Sequence, residues 1–265
     1  MRVTCLASGS SGNCLLVQSG ATHVLLDAGV GVRVARRELA ARGVADHELS
    51  AILISHEHND HVRALPSLLS YQRAAVLGTR GTISALQSWI TAEYDALTPG
   101  LACQIGELRV TPVRVSHDAA EPVGFVFEAG ATRVAVFTDL GGVDTDVAAA
   151  VAGAALVVLE SNYDEQMLAR GNYPAHLKRR IRGPHGHLSN ADCATFLAAH
   201  LSFTTSDVWL AHLSQNNNRP PLARTTTQTS LGPGGPQVHT LPRHGAPVNW
   251  DSSEATTRPR QLNLF

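Results

Sequence analysis

The stretch SHEHNDHV, residues 55–62, follows the apolar run AILI and places four metal-binding side chains within six positions. They are His56, His58, Asp60 and His61. Neutral imidazoles and carboxylates are the ligands that zinc and similar divalent ions prefer. The pattern therefore predicts a buried strand with metal ligands at its carboxyl end. It indicates two ions, because His56 and His58 can face one ion while Asp60 and His61 face another.

Three further residues follow apolar runs in the same way. They are His117 in VRVSHD, Asp139 in VAVFTDLG and His212 in VWLAHLS. Layered α/β folds build their sites at the ends of strands. Each residue alone could equally cap an element or lie in a loop. Together with the first cluster, they make a complete ligand set for two metals.

The order of local patterns predicts an α/β protein. Short extended runs open the chain, VRVARRELAARG (32–43) has helical spacing and ends in Gly43, and helices and strands then alternate as far as Ser214. Two β-rich halves that both carry helices indicate two sheets packed face to face with helices outside. The polar stretch 215–237 allows one more helix before a last strand near QVHTL.

Composition bounds the function and the compartment. The chain has 265 residues, 44% hydrophobic and 16% charged, with a formal charge of −1, so it has no net basic field for nucleic acid. Four scattered cysteines without a C-x-x-C pair are typical of free thiols in a reducing cytoplasm. No signal peptide is expected, and the longest apolar run is too short to span a membrane. We therefore expect a cytoplasmic protein without a membrane partner.

The motif H-x-H-x-D-H, followed by a His, an Asp and a last His, resembles that of the metallo-β-lactamase-fold hydrolases. The resemblance covers roughly residues 1–250 and implies one domain, an α/β fold built as an αββα four-layer sandwich. It implies two divalent metal ions, Zn or Mn, and it assigns Asp60 to catalysis as well as to metal binding. Asp27 in HVLLDAG matches an early Asp of the family that supports the site. The implied ligands are His56, His58 and His117 for one ion, Asp60, His61 and His212 for the other, and Asp139 as the bridge.

The bridging residue narrows the reaction class. The antibiotic-hydrolysing members of the family have Cys where this chain has Asp139, so lactam hydrolysis is disfavoured. Two ions bridged by a carboxylate suit phosphodiester cleavage, because one ion lowers the pKa of water and the pair stabilises the charged displacement. Thioester hydrolases of the glyoxalase II type share this ligand set. A small-molecule hydrolase, acting on a cyclic phosphate or a thioester, therefore stays open as the alternative.

The stretch GHLS contains the candidate general acid. It resembles the G-H-x-S segment of the β-CASP nucleases and the corresponding His of ribonuclease Z. There the histidine protonates the leaving oxygen or binds the scissile phosphate, which implies a catalytic role for His187. His185 is the alternative to His187. Unlike the β-CASP nucleases, the chain has no long inserted domain between Asp139 and His187.

Two stretches supply candidate substrate contacts, and both have an ordinary structural alternative. LKRRIR can contact phosphates or form a solvated helix face. The loop SGSSGN can hold a phosphate through backbone N–H groups or form a simple turn. Ser189, three residues before Asp192, can instead cap the next helix. The predicted contacts are Ser8, Ser10, Asn13, Lys178, Arg179 and Ser189.

Seven stretches together resemble the bacterial YycJ/WalJ group, which is implicated in DNA exonuclease activity. They are ASGSSGN, SHEHNDHV, FTDLG, LESNYD, YPAHLKRRI, GHLSN and LAHLSQNNN. The resemblance implies a phosphodiesterase that degrades DNA from 5′ ends in replication-linked repair.

The last five residues, QLNLF, follow a polar segment that has little to bury. Residues 251–265 are therefore predicted to be a disordered tail after the hydrolase domain. The ending matches the Q-L-x-L-F peptide by which bacterial enzymes bind the β sliding clamp of DNA polymerase III. The predicted clamp contacts are Gln261, Leu262, Leu264 and Phe265. The alternative is a terminus that frays and binds nothing.

Overall fold

A computed structural model gives the structure of the protein and describes residues 1–255, so residues 256–265 lie outside the description. The chain divides into two compact units. Unit 1 comprises Met1–Arg114, Ala119–Ala131 and Pro242–Trp250, and unit 2 comprises Val115–Asp118, Thr132–Leu241 and, of the described residues that remain, 251–255. Among residues 1–255, no helix is both long enough and apolar enough to cross a membrane.

The N-terminal part of the chain, which belongs to unit 1, contains nine strands and four helices. In chain order they are β1 (Arg2–Ala7), β2 (Cys14–Ser19), β3 (Thr22–Leu26), α1 (Val32–Ala40), β4 (Ala51–Leu53), α2 (Asn59–Val62), α3 (Leu65–Leu69), β5 (Val76–Thr79), α4 (Arg80–Gln87), β6 (Tyr94–Leu97), β7 (Cys103–Ile105), β8 (Leu108–Arg114) and β9 (Val123–Ala129).

Unit 2 follows with four strands and five helices. They are β10 (Thr132–Phe137), α5 (Thr145–Val151), β11 (Leu156–Glu160), α6 (Glu165–Arg170), α7 (Ala175–Arg182), α8 (Asn190–His200), β12 (Asp207–Ala211), α9 (Pro220–Leu231) and β13 (Gln237–Thr240). The described chain closes with β14 (Val248–Asp251) and α10 (Ser252–Ala255).

The main sheet of unit 1 has seven strands in the order β14-β1-β2-β3-β4-β5-β6. The pairs β1–β2 and β2–β3 are antiparallel, whereas β3, β4, β5 and β6 are parallel. The carboxyl ends of these parallel strands therefore share one edge of the sheet, where Asp27 and Ser55 follow β3 and β4. The strands β7, β8 and β9 pair antiparallel. Register pairs include Val17↔Val24, Leu25↔Ile52, Leu53↔Leu77 and Val110↔Phe127.

The four strands of unit 2 are all parallel, in the order β13-β12-β11-β10. Phe137, Leu159 and Leu210 lie in register across β10, β11 and β12. Their apolar residues are buried as nearly continuous runs, as expected for parallel strands that are covered on both faces. Because the strands share one direction, the residues that follow them gather at one edge.

Most predicted elements are present, and the α/β content predicted from the sequence is confirmed. The helix predicted over 32–43 is α1, and Gly43 follows it with φ of 74°. The polar stretch 215–237 contains α9. Residues 251–255, expected as the start of a disordered tail, instead complete β14 and form α10. The reason is local, because Oδ1 of Asp251 accepts hydrogen bonds from the backbone N–H and the hydroxyl of Ser253.

Candidate metal centre

The stretch 55–62 changes from extended to helical backbone within unit 1. Ser55 and His56 follow β4, His58 is the extended N-cap residue of α2, and Asp60 and His61 lie in its single turn. The side chain of His56 is 1% exposed and that of His61 is 0% exposed. This sharp turn brings ligands that are five residues apart in sequence to one place, as the sequence predicted for a strand end.

A buried carboxylate fixes the orientation of His61. Oδ2 of Asp27 accepts a hydrogen bond from Nδ1 of His61 at 2.7 Å, and its two oxygens accept the hydroxyl and the backbone N–H of Ser55. A carboxylate only accepts, so Nδ1 of His61 carries the proton and Nε2 offers its lone pair. The hydroxyl of Ser55 also lies 3.1 Å from Nδ1 of His56. Asp27 thus holds a predicted ligand, His61, from behind.

The ligand atoms of unit 1 converge in the two pairs that the sequence indicated. One ring nitrogen of His56 lies within 4.8 Å of one of His58, and Oδ2 of Asp60 lies 3.7 Å from Nε2 of His61. The rings of His56 and His61 are 4.0 Å apart. The amide nitrogen of Asn13 lies 3.0 Å from Nε2 of His61. Four donors of the type that Zn²⁺ and Mn²⁺ accept therefore lie together.

The close packing around α2 requires a glycine. A Cβ at Gly29 would overlap the carbonyl oxygen of Asp60, so no side chain fits at this position. That carbonyl accepts a hydrogen bond from the backbone N–H of Asn13, and the carbonyl of His61 accepts one from Ala28. The turn that carries the ligands is therefore held by backbone hydrogen bonds from two neighbouring loops.

The loop SGSSGN has less capacity for a phosphate than the sequence suggested. Ser8 and Asn13 are buried, whereas Ser10 is exposed. Backbone N–H groups that already donate within unit 1 belong to Ser8, Gly9, Gly12 and Asn13. A nest that uses these four groups would have to break existing hydrogen bonds. The predicted backbone contact is therefore narrowed to Ser10 and Ser11.

In unit 2, His117 is oriented by a backbone carbonyl. Its Nδ1 donates to the oxygen of Gly186 at 3.1 Å, which leaves Nε2 to act as a ligand. Burial lowers the pKa of His117, so the imidazole is kept neutral as metal binding requires. The preceding Ser116 donates to the carbonyl of Pro184 at 2.6 Å. The short segment 115–118 is thus tied to the loop that precedes His187.

Asp139 and His212 follow β10 and β12 with backbone in the left-handed region, with φ of 57° and 53°. Asp27, after β3 in unit 1, has φ of 61°. This conformation is uncommon for residues other than glycine and collects at functional sites. Nδ1 of His212 lies 3.2 Å from Oδ1 of Asp139, and Nε2 of His117 lies 3.9 Å from the same oxygen. The three predicted ligands of unit 2 are therefore neighbours.

Glu160, the last residue of β11, is a functional residue that the sequence interpretation missed. It is 0% exposed and accepts four hydrogen bonds. Oε1 accepts from Nδ1 of His187 at 2.9 Å and of His212 at 2.7 Å, and Oε2 accepts from the backbone N–H groups of Leu140 and Leu188. Burial raises the pKa of Glu160, but the two histidines outweigh it and the pKa is lowered. The signal was available, because Glu160 ends an apolar run as Asp139 and His212 do.

His187 contacts Glu160 and lies 3.8 Å from Oδ1 of Asp139, and its side chain is 23% exposed. Burial lowers the pKa of His187, but the charge of Glu160 and the hydrogen bond to it prevail, so the pKa is raised. The raised pKa favours the protonated ring, and a partly accessible imidazolium can donate a proton to a leaving group. The alternative, His185, is exposed and contacts the hydroxyl of Ser116, with no carboxylate partner among residues 1–255.

The donor set of unit 2 fits a metal. Ligand atoms of Asp139, Glu160, His187 and His212 all lie within 4.8 Å of one another. Both oxygens of Glu160 are already occupied by hydrogen bonds, so Glu160 is an orienting residue here. Nδ1 of His212 is likewise committed to that carboxylate, which leaves Nε2 as its ligand atom. Imidazole nitrogen plus carboxylate oxygen is the donor chemistry that Zn²⁺ and Mn²⁺ accept.

The basic helix α7 buries none of its residues, and most of its charges are engaged. The ammonium of Lys178 donates to the carbonyl of Ala169, and Arg180 and Arg182 each pair with a carboxylate within unit 2. Of the two predicted contacts on this helix, Arg179 is exposed and carries no ion pair within the described chain. Arg179 is therefore the better placed of the two to meet a phosphate.

Ser189 is a helix cap. Its hydroxyl accepts a hydrogen bond from the backbone N–H of Asp192 at the start of α8 and donates to the carboxylate of the same residue at 2.6 Å. The side chain is 1% exposed. The predicted substrate contact is corrected in favour of the capping alternative. The predicted clamp contacts, at positions 261, 262, 264 and 265, lie outside the described residues.

The sequence and the fold match known proteins. The Beta-lactamase superfamily domain matches residues 22–213. The exodeoxyribonuclease YycJ of Bacillus anthracis is 34% identical over 230 residues, 85% of this chain and 87% of the relative. The exodeoxyribonuclease WalJ of Streptococcus pneumoniae serotype 2 is 32% identical over 240 residues, 86% of this chain and 89% of the relative. The metallo-β-lactamase fold protein YhfI from Bacillus subtilis superposes with a TM-score of 0.72 at 17% identity, covering 94% of this chain and 98% of YhfI. The fold and the enzyme class predicted from the sequence are thus confirmed, and the chain belongs to the β-lactamase superfamily as a metallo-hydrolase.

Proposed function

We propose that the protein is a dinuclear-metal phosphodiesterase, a DNA exonuclease that degrades from 5′ ends in replication and repair in the cytoplasm. The observation that carries the proposal is the pair formed by His187 and Glu160 next to Asp139 and His212. Hydrolysis of a phosphodiester expels an alkoxide, so a proton donor beside the metal ligands has a defined task.

In this proposal, the ligand assignment follows the family motif. His56, His58 and His117 would hold one ion, Asp60, His61 and His212 would hold the other, and Asp139 would be shared by both. When bound, the ions would lower the pKa of a water molecule and offset the charge of the phosphate. The protein would contribute fixed ring orientations, because Asp27 and Glu160 hold the Nδ1 protons of His61 and His212. Asp60 would serve both in metal binding and in catalysis.

The leaving-group proton would come from His187. Nδ1 of this ring points to Glu160, so Nε2 is the atom from which the proton would move. The ionised Glu160 stabilises the imidazolium before the reaction. After proton donation the ring would recover a proton from water.

The choice of DNA is supported by two relatives named as exodeoxyribonucleases that match most of the chain. Arg179 and the Ser10 loop are the proposed phosphate contacts, and Lys178 contributes charge. The formal charge of −1 gives no overall attraction to DNA. Binding of the terminal peptide to the β sliding clamp would instead raise the local concentration of DNA.

A digestion series tests the enzymatic proposal. Purified protein with Mn²⁺ or Zn²⁺ is given 5′- and 3′-labelled single-stranded, nicked and blunt DNA, and the Asp60→Ala variant is the matched control. We expect the wild-type protein to shorten the DNA from its 5′ end and the Asp60→Ala variant to leave the DNA intact. A cyclic ribose phosphate and an acyl thioester are tested with the same preparation. Turnover of either one without cleavage of DNA would replace this proposal with the small-molecule alternative.

Deletion of residues 261–265 tests the clamp proposal separately. We expect binding to the purified β clamp to be lost, while cleavage of a short oligonucleotide keeps its rate. A variant in which Leu264 and Phe265 become Ala should behave as the deletion does. Unchanged affinity for the clamp after the deletion would remove the clamp from the proposed function.

A further inference from the structure

A groove of about 450 Å³ lies in unit 2, outside the ligand set. This volume is typical of sites for small ligands, which span roughly 300–1,000 Å³. The groove runs between α6 and the segment that leads from His212 into α9. Its principal lining residues are Gln166, Met167, Arg170, Asn216, Arg219 and Leu222.

Both walls of the groove start next to His212. The amide of Asn162, just before α6, donates to the carbonyl of His212 at 2.8 Å, and the backbone N–H of Ser214 donates to the carbonyl of Asn162. The backbone N–H of Asp164 donates to the carbonyl of Asn217 at 2.8 Å. These hydrogen bonds join the two walls, so the groove is preformed, and they connect the start of each wall to the segment that carries His212.

The charge of the groove is positive. Arg170 and Arg219 are exposed, and neither guanidinium forms an ion pair within residues 1–255. The carboxylate of Asp164 accepts a hydrogen bond from the backbone of Met167 as the cap of α6. The neighbouring Glu165 is paired with a different arginine, on α7. Two guanidinium groups are thus available to a phosphate, which they can contact in a bidentate manner.

The remaining lining suits a nucleobase. Met167 and Leu222 present apolar surface, and the Leu222 side chain is 37% exposed. Gln166 and Asn216 add amide groups, and Asn216 donates to the hydroxyl of Tyr173, which leaves its carbonyl oxygen as an acceptor. Guanidinium groups for phosphate, an apolar face for a base and amides for a base edge together describe a site for a nucleotide within a strand.

We infer that this groove binds one nucleotide of the substrate strand away from the scissile bond, with Arg170 and Arg219 on phosphates and Leu222 against the base. The inference rests on the proposed nuclease function and specifies where the strand continues beyond the metal centre. It also gives the enzyme a preference for strands over single nucleotides, since only a strand can occupy the groove and the metal centre together.

A binding experiment with matched variants tests the groove. The probe is fluorescein-labelled phosphorothioate dT12, titrated with metal-loaded protein at several salt concentrations. In the double variant Arg170→Ser with Arg219→Ser, we expect about tenfold weaker binding and a salt slope lower by about 1.4, or roughly 0.7 for each lost phosphate contact. Leu222→Ser should weaken binding without changing the slope. Arg224→Ser, an exposed residue of α9 outside the groove, is the control and should bind as wild type does.

Hydrolysis of bis(4-nitrophenyl) phosphate separates this inference from the proposed function. We expect all three variants to keep the wild-type rate within about twofold, because this ester needs only the metal centre. Wild-type affinity and slope in the double variant would overturn the inference, as would an equal loss in the Arg224→Ser control. If wild-type protein binds dT12 through the groove but cleaves no DNA, the nuclease proposal fails while the groove inference stands.

Discussion

Both units place a buried carboxylate behind histidines that are predicted metal ligands, but the two carboxylates have different partners. In unit 1, Asp27 accepts a hydrogen bond from Nδ1 of one histidine, His61, and its other hydrogen bonds come from Ser55. In unit 2, Glu160 accepts hydrogen bonds from Nδ1 of two histidines. His212 is a predicted ligand, and His187 is the proposed acid. Under the proposed function, a carboxylate that orients one predicted ligand supports metal binding alone, whereas a carboxylate that also orients the proposed acid connects metal binding to proton transfer.

This difference predicts that Glu160 is the more sensitive position. The change Glu160→Gln replaces one acceptor oxygen with an amide nitrogen that only donates. This nitrogen would face either two imidazole N–H groups or two backbone N–H groups. The proposed acid and a ligand both lose their support. We expect kcat to fall by about 10³, combining a general-acid effect with the weakening of a ligand. Steady-state kinetics on a labelled oligonucleotide measure this.

Two further measurements distinguish positioning from a merely structural role. The basic limb of the pH profile should move to lower pH in Glu160→Gln, because Glu160 holds the pKa of His187 above its ordinary value in the wild type. Glu160→Asp should recover part of the rate. A variant that unfolds, or that loses rate without any change in the pH profile, would contradict the assigned role.

His187→Ala removes the acid while leaving Glu160 to hold His212. We expect kcat to fall by about 10², at the lower end of general-acid effects, with metal content unchanged. The wild-type rate should decline as pH rises through the raised pKa of His187, since the ring must be protonated to act, and the variant should lack this decline. Loss of metal, measured by elemental analysis, would mean that His187 is a ligand and that the acid is another residue.

The sequence predicted Asp27 but not Glu160, and the reason is physical. Asp27 follows an apolar strand and Glu160 ends one, yet Asp27 belongs to a recognisable motif. The histidines that Glu160 holds instead lie 27 and 52 positions later in the chain. Only the parallel register of β11 and β12 brings His212 beside Glu160. Strand ends, ligand types and most elements follow from local patterns. Pairings between distant segments require the fold.

The predicted substrate contacts also show that a local sequence pattern does not identify the partners of a side chain. Local pattern left two roles open for Ser189, and the choice between them depended on where its hydroxyl points. For the basic helix, the charges can be read from the sequence but their partners cannot. Asp118 and Glu165, which neutralise two of the arginines, lie 62 and 17 positions away in the chain. The number of arginines that are available to bind a phosphate therefore cannot be obtained from the composition of the helix.

Asp27→Asn should have a smaller effect than Glu160→Gln, because only one ligand depends on it. The amide can still accept from Ser55 or His61 through one oxygen, but its nitrogen faces a donor. We expect metal affinity to fall by about 10-fold to 100-fold, as for other partners of ligating histidines, and kcat at saturating metal to stay within tenfold of wild type. Activity titrated against free Mn²⁺ or Zn²⁺ measures both. A fall in kcat as large as that of Glu160→Gln would remove the distinction between the two carboxylates.

Ser55→Ala should have the smallest effect of the series. The change deletes one hydrogen bond to Asp27 and contacts to Nδ1 of both His56 and His61, but leaves the hydrogen bond between Asp27 and His61 in place. We expect a loss of about 1 kcal/mol in the free energy of unfolding, the typical contribution of one hydrogen bond, and less than a tenfold loss in metal affinity. Denaturant unfolding and metal titration check the two values, with Ser88→Ala on exposed surface as the control. If Ser55→Ala weakens metal binding as much as Asp27→Asn does, Ser55 contributes as much as the carboxylate to holding the ligands of unit 1.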